Sequence, residues 1–458
     1  MRLLSESSQP VHFVGIAGAG MSALAELLHR RGARVTGCDA NPANAPDLSR
    51  LGISVVAGHD PSHADSAGAF VVTSAMPRDH PELARARERG IPVIRRAEAL
   101  AEAISGGDVI GIAGTHGKTT TTVMTTDALR GAGFAPTGIA GGRVGAWNGN
   151  LSDGGDRLFV VEADEYDRSF LALTPTVGVV TNVEADHLDI YDDLDDIRGA
   201  FAQYLGPARA LVLCDDDAGV RALVLPTGAQ VIRYAIRSSD ARLRAGSVRP
   251  ADGGSAFTAV FDDEPICDVR LRVPGEHNVM NALAALGSGL ALGADPMLLA
   301  EGLAGFAGVE RRFQRVGETR GVLVIDDYAH HPTELRATLD AARAAYPDRR
   351  IVAAFQPHLF SRTRDFAREF GEALGAADAA YLAEIYPARE QPIEGVTAGL
   401  IADAAKSVGR PVAWRGARDE LASALAADVR AGDLVLTMGA GDITRTGPEL
   451  LALLGARA

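Results

Sequence analysis

One pattern recurs along the chain: a short apolar run, a cluster of small or polar residues, then a helical repeat. Residues 11–16 lead into 17–20, 109–113 into 114–119, 158–161 into 162–164, and 177–181 into 182–187. Further on, 322–325 lead into 326–331, 351–355 into 356–364, and 434–438 into 439–442. Such runs read as buried strands, and strands that alternate with helices form parallel sheets. The pattern therefore predicts an α/β chain. In parallel sheets ligands bind beyond the carboxyl ends of the strands, where every polar cluster named above falls. Segment 236–273 departs from the pattern, with polar-rich alternation and a turn at Asp252-Gly253-Gly254-Ser255. It reads as a β-rich excursion.

Composition sets the scale. At about 150 residues per domain, 458 residues suggest three domains. Breaks at 105–108 and 305–311 place them at 1–106, 107–311 and 312–458. A hydrophobic content of 47% excludes a disordered chain. A net charge of −14 argues against nonspecific binding to nucleic acid. No apolar run is long enough to span a bilayer, and the N-terminus lacks the basic-then-apolar pattern of a signal peptide. Cys38, Cys214 and Cys267 are too scattered for a disulfide framework or a zinc spacing, so a cytoplasmic setting is expected. Among the 45 basic residues only Lys118 and Lys406 are lysines.

Lys118 lies in Gly114-Thr115-His116-Gly117-Lys118-Thr119-Thr120, between a strand and a helical pattern, as a phosphate loop requires. Backbone amides there would cradle phosphates, the ammonium would neutralise them, and the Thr119 hydroxyl would reach Mg²⁺. The usual motif has glycine five places before Gly117, where this chain has Ile112. Two acidic clusters follow the next strands: Glu162-Ala163-Asp164-Glu165 and the stretch from Asn182 through Glu184, Asp186 and His187 to Asp189. Beside a phosphate loop, hard oxygens and an imidazole can complete a Mg²⁺ site. Near the N-terminus, Gly15, Gly18 and Gly20 precede a helical face that begins at Met21. Asp39 follows the next strand, at 34–38, where a ribose-binding acid would sit. These residues suit a nucleotide or nucleotide-sugar. Asn281 opens another helix and carries an amide able to pair with an adenine edge. The last third supplies Arg311-Arg312-Phe313, Asp326-Asp327-Tyr328-Ala329-His330-His331, and His358 with Arg362 and Arg364. Such His and Arg clusters suit a free carboxylate and an amine.

Together these strings resemble the Mur ligase family over nearly the whole chain: GIAGAGMS (15–22), GTHGKTT (114–120), EADE (162–165), TNVEADHLD (181–189), HNVMNA (277–282), RRF (311–313), DDYAHHPTE (326–334), FQPH with SRTR (355–364) and GAGD (439–442). The resemblance implies a Rossmann-like UDP-sugar domain, a central P-loop ATPase-type domain and a Rossmann-like C-terminal domain. It implies ATP- and Mg²⁺-dependent joining of L-alanine to the lactyl carboxylate of UDP-N-acetylmuramate, through an acyl phosphate, in peptidoglycan synthesis. By motif, Lys118, His187, His330 and Arg362 would serve catalysis. Residues 114–120, Asn281 and Arg312 would bind ATP. Thr119, Glu162 and His187 would hold Mg²⁺. Gly18, Gly20, Met21, Ser22, Asp39, Ser74, Tyr328, His330, His358, Arg362 and Arg364 would bind the two other substrates.

Two departures stand out. The family often has glycine where this chain has Ala329, so a methyl could narrow the amino-acid pocket. Sister ligases carry a lysine shortly after the DHxD motif, carbamylated by carbon dioxide, that helps hold a second Mg²⁺. Residues 190–204 contain none, and Arg198 stays protonated and cannot replace it. Two alternatives stay open: a murein-peptide ligase that joins a tripeptide instead of alanine, and a nucleotide-binding regulator without ligase chemistry. A dehydrogenase is disfavoured, because hydride transfer has no use for a phosphate loop with an acidic metal cluster.

Overall fold

The computed structural model describes residues 9–456 except 45, 74, 75, 78, 189 and 389. Ser74, expected at the substrate, and Asp189 lie outside the described residues. By backbone proximity the chain forms two compact units: Met1–Val248 with Phe257–Arg270 and Met280–Ala307, and Arg249–Ala256 with Leu271–Val279 and Gly308–Ala458.

The first sheet contains β1 (Val11–Val14), β2 (Val35–Asp39), β3 (Ser54–Ala57), β4 (Ala69–Val72) and β5 (Val93–Arg95). Its order is β3-β2-β1-β4-β5, all parallel. The chain reverses direction across the sheet at β1, so the turn after β1 opens into a crevice. The helix Ala19–Arg30 follows that turn and buries Met21, Leu24, Ala25 and Leu28. The same helix packs on β7 (Thr137–Val144) and β8 (Gly149–Ser152) of the second sheet, two strands of the same compact unit.

That second sheet has ten strands. Besides β7 and β8 they are β6 (Asp108–Ala113), β9 (Leu158–Glu162), β10 (Val177–Val180), β11 (Ala210–Cys214), β12 (Gln230–Ala235), β13 (Leu243–Ala251), β14 (Gly254–Phe261) and β15 (Glu264–Leu271). The order β15-β14-β13-β12-β11-β10-β6-β9-β7-β8 puts β6 between β10 and β9, parallel to both. Three polar clusters thus emerge side by side at one edge. Strands β13–β15 fill the segment expected to be β-rich. The helix Lys118–Gly131 follows β6 although nine of its fourteen residues would be poor choices on helix propensity alone, six of them threonines. Burial overrides propensity: Thr119 through Thr126 are all buried, and Thr126 donates back to the Thr122 carbonyl at 2.8 Å.

In the second unit, β16 (Gln314–Thr319), β17 (Val322–Asp327), β18 (Arg350–Phe355), β19 (Ala379–Ala383), β20 (Trp414–Gly416) and β21 (Asp433–Met438) order as β16-β17-β21-β18-β19-β20. Only β16 is antiparallel to its neighbour. Leu323, Ile325, Ile351, Phe355, Leu434 and Leu436 fill one face under helices on that side. Each such buried side chain contributes roughly 1.5–3 kcal/mol. Among the described residues no helix is long and apolar enough to cross a membrane.

Candidate active site

The turn after β6 is built around two glycines. Gly114 has φ +136°, and a Cβ there would lie 2.0 Å from Thr181 Oγ1. Gly117 has φ +80°, and a Cβ there would lie 2.6 Å from Asn281 Oδ1. Neither position admits a side chain. The segment after β10 braces the loop: Thr181 Oγ1 donates to the His116 carbonyl at 2.6 Å, and the His116 amide donates to Asn182 Oδ1 at 2.7 Å. The Glu184 amide donates to Thr115 Oγ1 at 2.9 Å. No side chain caps the helix that starts at Lys118, so its first turn offers amides and the positive end of a helix dipole.

Lys118 Nζ donates to the Gly114 carbonyl at 2.7 Å and lies 2.8 Å from Glu165 Oε2. Burial opposes its charge, but Glu165 and Asp164 hold its pKa above the ordinary value. Burial likewise opposes the Glu165 charge, yet Lys118 and a hydrogen bond from His187 bring that carboxyl below the usual range. Glu162 ends β9. It accepts from Thr119 Oγ1 at 3.0 Å and from the Gly141 amide at 2.6 Å, and burial pushes its pKa up. His187 has a left-handed backbone (φ 54°), a strained conformation that gathers at functional sites. Its Nε2 lies 3.6 Å from Glu165 Oε1, and Tyr166 packs edge-on to its ring. Burial lowers its pKa, but the Glu165 hydrogen bond and Asp186 leave it raised.

Around the turn after β1, Asp39 is engaged by loop amides. Its carboxylate accepts from Ala17 N at 2.9 Å and Asn41 N at 2.8 Å. Arg96 packs over Gly20, with Nη1 only 2.9 Å from where a Cβ would stand. Ser22 lines a cavity of about 150 Å³ with Asp47, Arg143 and Asn150.

In the second unit, the segments after β17, β21 and β18 meet. Asp326 accepts from Thr437 Oγ1 (2.6 Å) and Thr444 Oγ1 (2.8 Å) and pairs with Arg311 at 3.2 Å. The Arg311 and Arg312 guanidinium carbons lie 4.8 and 5.1 Å from the centre of the Tyr328 ring. Asp327 accepts from the Phe313 and Ala329 amides, both at 2.8 Å, and burial raises its pKa to about 6. His330 Nδ1 lies 3.0 Å from the Tyr328 carbonyl. A carbonyl can only accept, so Nδ1 carries the hydrogen and, in the neutral ring, Nε2 keeps its lone pair. The rings of His330 and His358 are 6.0 Å apart. Arg362 is buried in the first turn of the helix Phe360–Leu374, while Arg364 is exposed and paired with Asp365 at 2.7 Å.

Family models match three stretches: the Mur ligase family catalytic domain over residues 10–107, the Mur ligase middle domain over 112–289, and the Mur ligase glutamate ligase domain over 311–441. The chain belongs to the Mur ligase family. It is 48% identical to a UDP-N-acetylmuramate–L-alanine ligase of Kineococcus radiotolerans, over 98% of this chain and 96% of that protein. The crystal structure of a UDP-N-acetylmuramate–alanine ligase from Thermotoga maritima is similar, with 28% identity and a TM-score of 0.84 over 98% of this chain and all of that one. A murein peptide ligase from Psychrobacter arcticus follows at 26% identity and a TM-score of 0.73, over 98% of this chain and all of that one.

Several residues of this Mur ligase make contacts that their motifs alone do not indicate. Met21, expected at the substrate, is buried on the core face of its helix. Asp39 shapes the turn by holding its amides. Ala329 is fully buried, with its methyl packed in the hydrophobic core. The Asn281 carboxamide oxygen accepts from Thr121 Oγ1 at 3.1 Å and abuts Gly117, which places Asn281 against the turn after β6. Sequence reasoning missed Glu165 as the partner of both Lys118 and His187, and Asn182 as the brace of the loop. Both lie within the quoted motifs, but only the fold selects them from their neighbours.

Proposed function

We propose that this Mur ligase joins L-alanine to the lactyl carboxylate of UDP-N-acetylmuramate in the cytoplasm, converting ATP to ADP and phosphate, during peptidoglycan synthesis. The observation that carries this reading is the 48% identity, over 98% of the chain, to a UDP-N-acetylmuramate–L-alanine ligase. The phosphate loop supplies the chemical logic. A carboxylate is a poor electrophile, and phosphorylation gives it a leaving group. The alanine amine then attacks the acyl carbon, and collapse of the tetrahedral adduct expels phosphate.

The chain's own residues divide this work. The uncapped helix N-terminus and Lys118 bind the polyphosphate and stabilise charge that grows during transfer. Glu165 keeps Lys118 charged and aimed, and ATP phosphate oxygens would share its ammonium. Thr119 and Glu162 suit Mg²⁺: a hydroxyl and a half-buried carboxylate 3.0 Å apart are hard donors, and desolvation leaves that carboxylate in need of a cation. His187 is the third residue placed to serve that ion. When bound, Mg²⁺ would screen the meeting of phosphate and carboxylate. Arg362 would hold the alanine carboxylate, and His330 Nε2 would accept a proton from its amine. Arg312 would meet phosphate, and Asn281 adenine. Ser22, Gly18 and Gly20 would contact the UDP-sugar. Arg364 and His358 would support the amino-acid site.

An ADP-release screen across amino acids and the murein tripeptide, with UDP-N-acetylmuramate present, tests the reading. ADP release that requires both the UDP-sugar and L-alanine is expected. A preference for the tripeptide would establish the murein-peptide ligase instead, and ADP release without any amino substrate would remove the ligase reading.

A further inference from the structure

A second cluster of chemistry-bearing side chains lies in the first sheet, made of residues the ligase reaction does not use. Paired strands β1 and β2 hold His12 level with Thr36 and Val14 level with Cys38. Side chains two residues apart share a face, so His12 and Cys38 point to the same side. Glu82, in the first turn of the helix Pro81–Glu88, reaches the same place and is fully buried. His63 arrives from the short helix Pro61–Asp65.

The contacts are close. His63 Nδ1 lies 2.5 Å from Glu82 Oε1, and Cys38 Sγ lies 3.4 Å from the same oxygen. One ligand atom from each of His12, Cys38, His63 and Glu82 falls within 4.8 Å of the other three. His12 is only 4% exposed; its Nδ1 bonds Thr36 Oγ1 at 3.0 Å while its Nε2 is buried without a hydrogen-bond partner. Among the described residues, the ion-pair partners of Glu82 are all histidines: His63, then His59 at 3.6 Å and His80 at 3.9 Å. A buried carboxylate calls for a compensating cation.

We propose that His12, Cys38, His63 and Glu82 form a binding site for a Zn²⁺-class ion, separate from the Mg²⁺ site of the ATPase loop. Two imidazoles, one thiolate and one carboxylate are a four-donor set of the kind that selects Zn²⁺ over Mg²⁺. With Nδ1 held by Thr36, the buried and unpartnered Nε2 is the His12 atom that can face the ion. Cys38 binds the ion as a thiolate: the S–H bond breaks, an S–Zn bond forms, and one proton leaves to solvent. His63, 21% exposed, provides the way in. His59 and His80, on the other oxygen of Glu82, would orient that carboxylate. The ion would tie β1 and β2 to the two following segments. The Cys38 carbonyl already accepts from the Gly15 amide at 2.8 Å, so the site adjoins the turn expected to bind the UDP-sugar.

The test uses the full chain, stripped of metal by a chelator. It is titrated with Zn²⁺ against a chromogenic competitor and, separately, with Co²⁺ followed by absorption. One Zn²⁺ per chain is expected, with a rise in Tm, release of a proton, and a thiolate-to-cobalt charge-transfer band. Cys38→Ser should abolish that band, and His63→Asn should weaken Zn²⁺ binding about 100-fold. Glu162→Gln, at the Mg²⁺ site, should leave Zn²⁺ uptake intact. If Cys38→Ser does not fold, His63→Asn at its half-buried position still decides. Absence of stoichiometric uptake by the unaltered chain, uptake unchanged in His63→Asn, or uptake lost in Glu162→Gln would each overturn the proposal.

Discussion

Lys118 offers the most searching perturbation, because the structure changes what its loss should do. Read from sequence, Lys118 lies in a loop, and its replacement is expected to abolish turnover with the fold intact. The structure places it at the start of a buried helix, 2.8 Å from Glu165, whose side chain is 4% exposed. Removing the ammonium leaves that carboxylate buried without its main partner, a change that costs about 3–5 kcal/mol. At roughly 2–4 °C per kcal/mol for a domain of this size, Lys118→Met should lower Tm by roughly 6–20 °C. Turnover should fall at least 100-fold, the effect of deleting one group that stabilises transition-state charge. The double variant Lys118→Met/Glu165→Gln removes the stranded charge. It should recover most of the lost Tm and none of the activity. Calorimetry on the four members of the cycle, with ADP release on each, separates the two effects. Turnover of Lys118→Met within tenfold of the original, about 1.4 kcal/mol, would refute the phosphate-loop role. A double variant no more stable than Lys118→Met would refute the buried-pair argument.

Three further outcomes follow. Arg362→Ala should raise KM for L-alanine far more than KM for ATP, since bidentate recognition of a carboxylate is lost; equal effects on both would assign Arg362 to phosphate or to support of the fold. Activity should be indifferent to bicarbonate at fixed pH and ionic strength, and intact mass should show no carbamate, because no lysine follows His187 within residues 190–204 and Arg198 is paired with Asp195 at 2.8 Å; reversible activation by bicarbonate would contradict this. Burial lowers the pKa of His277 to about 4, whereas the unfolded ring titrates near 6.5. Between those values the unfolded state binds more protons, so stability falls as pH falls, by about 2 kcal/mol at pH 5; His277→Gln should reduce the drop in Tm between pH 7 and pH 5, and an unchanged drop would contradict the assignment.

The sequence was most legible where local pattern and chemistry coincide. Apolar runs followed by polar clusters marked β6, β9 and β10, and the phosphate loop was readable from Gly114 through Thr120. Partners were not readable when several candidates crowd one motif. Glu162, Asp164 and Glu165 are three acids in four residues, and only the geometry of the turn sends Glu165 to Lys118 and Glu162 to Thr119. Met21 and Ser22 are adjacent, yet the helix turns one into the core and the other toward a cavity. The cluster of His12, Cys38, His63 and Glu82 spans 71 residues and four elements. No linear spacing could reveal it, because β-pairing and a helix terminus bring it together.

In the proposed reaction the lactyl carboxylate is activated as an acyl phosphate and then captured by alanine. The most direct test is isotope transfer from UDP-N-acetylmuramate labelled with ¹⁸O in both carboxylate oxygens. Turnover with ATP and L-alanine, followed by mass spectrometry of the products, reads the fate of each oxygen. One ¹⁸O is expected in every inorganic phosphate released, and one in the new amide carbonyl. Phosphate free of label, with ADP formed at the same rate, would mean that water and not the carboxylate received the phosphoryl group, and would contradict the account.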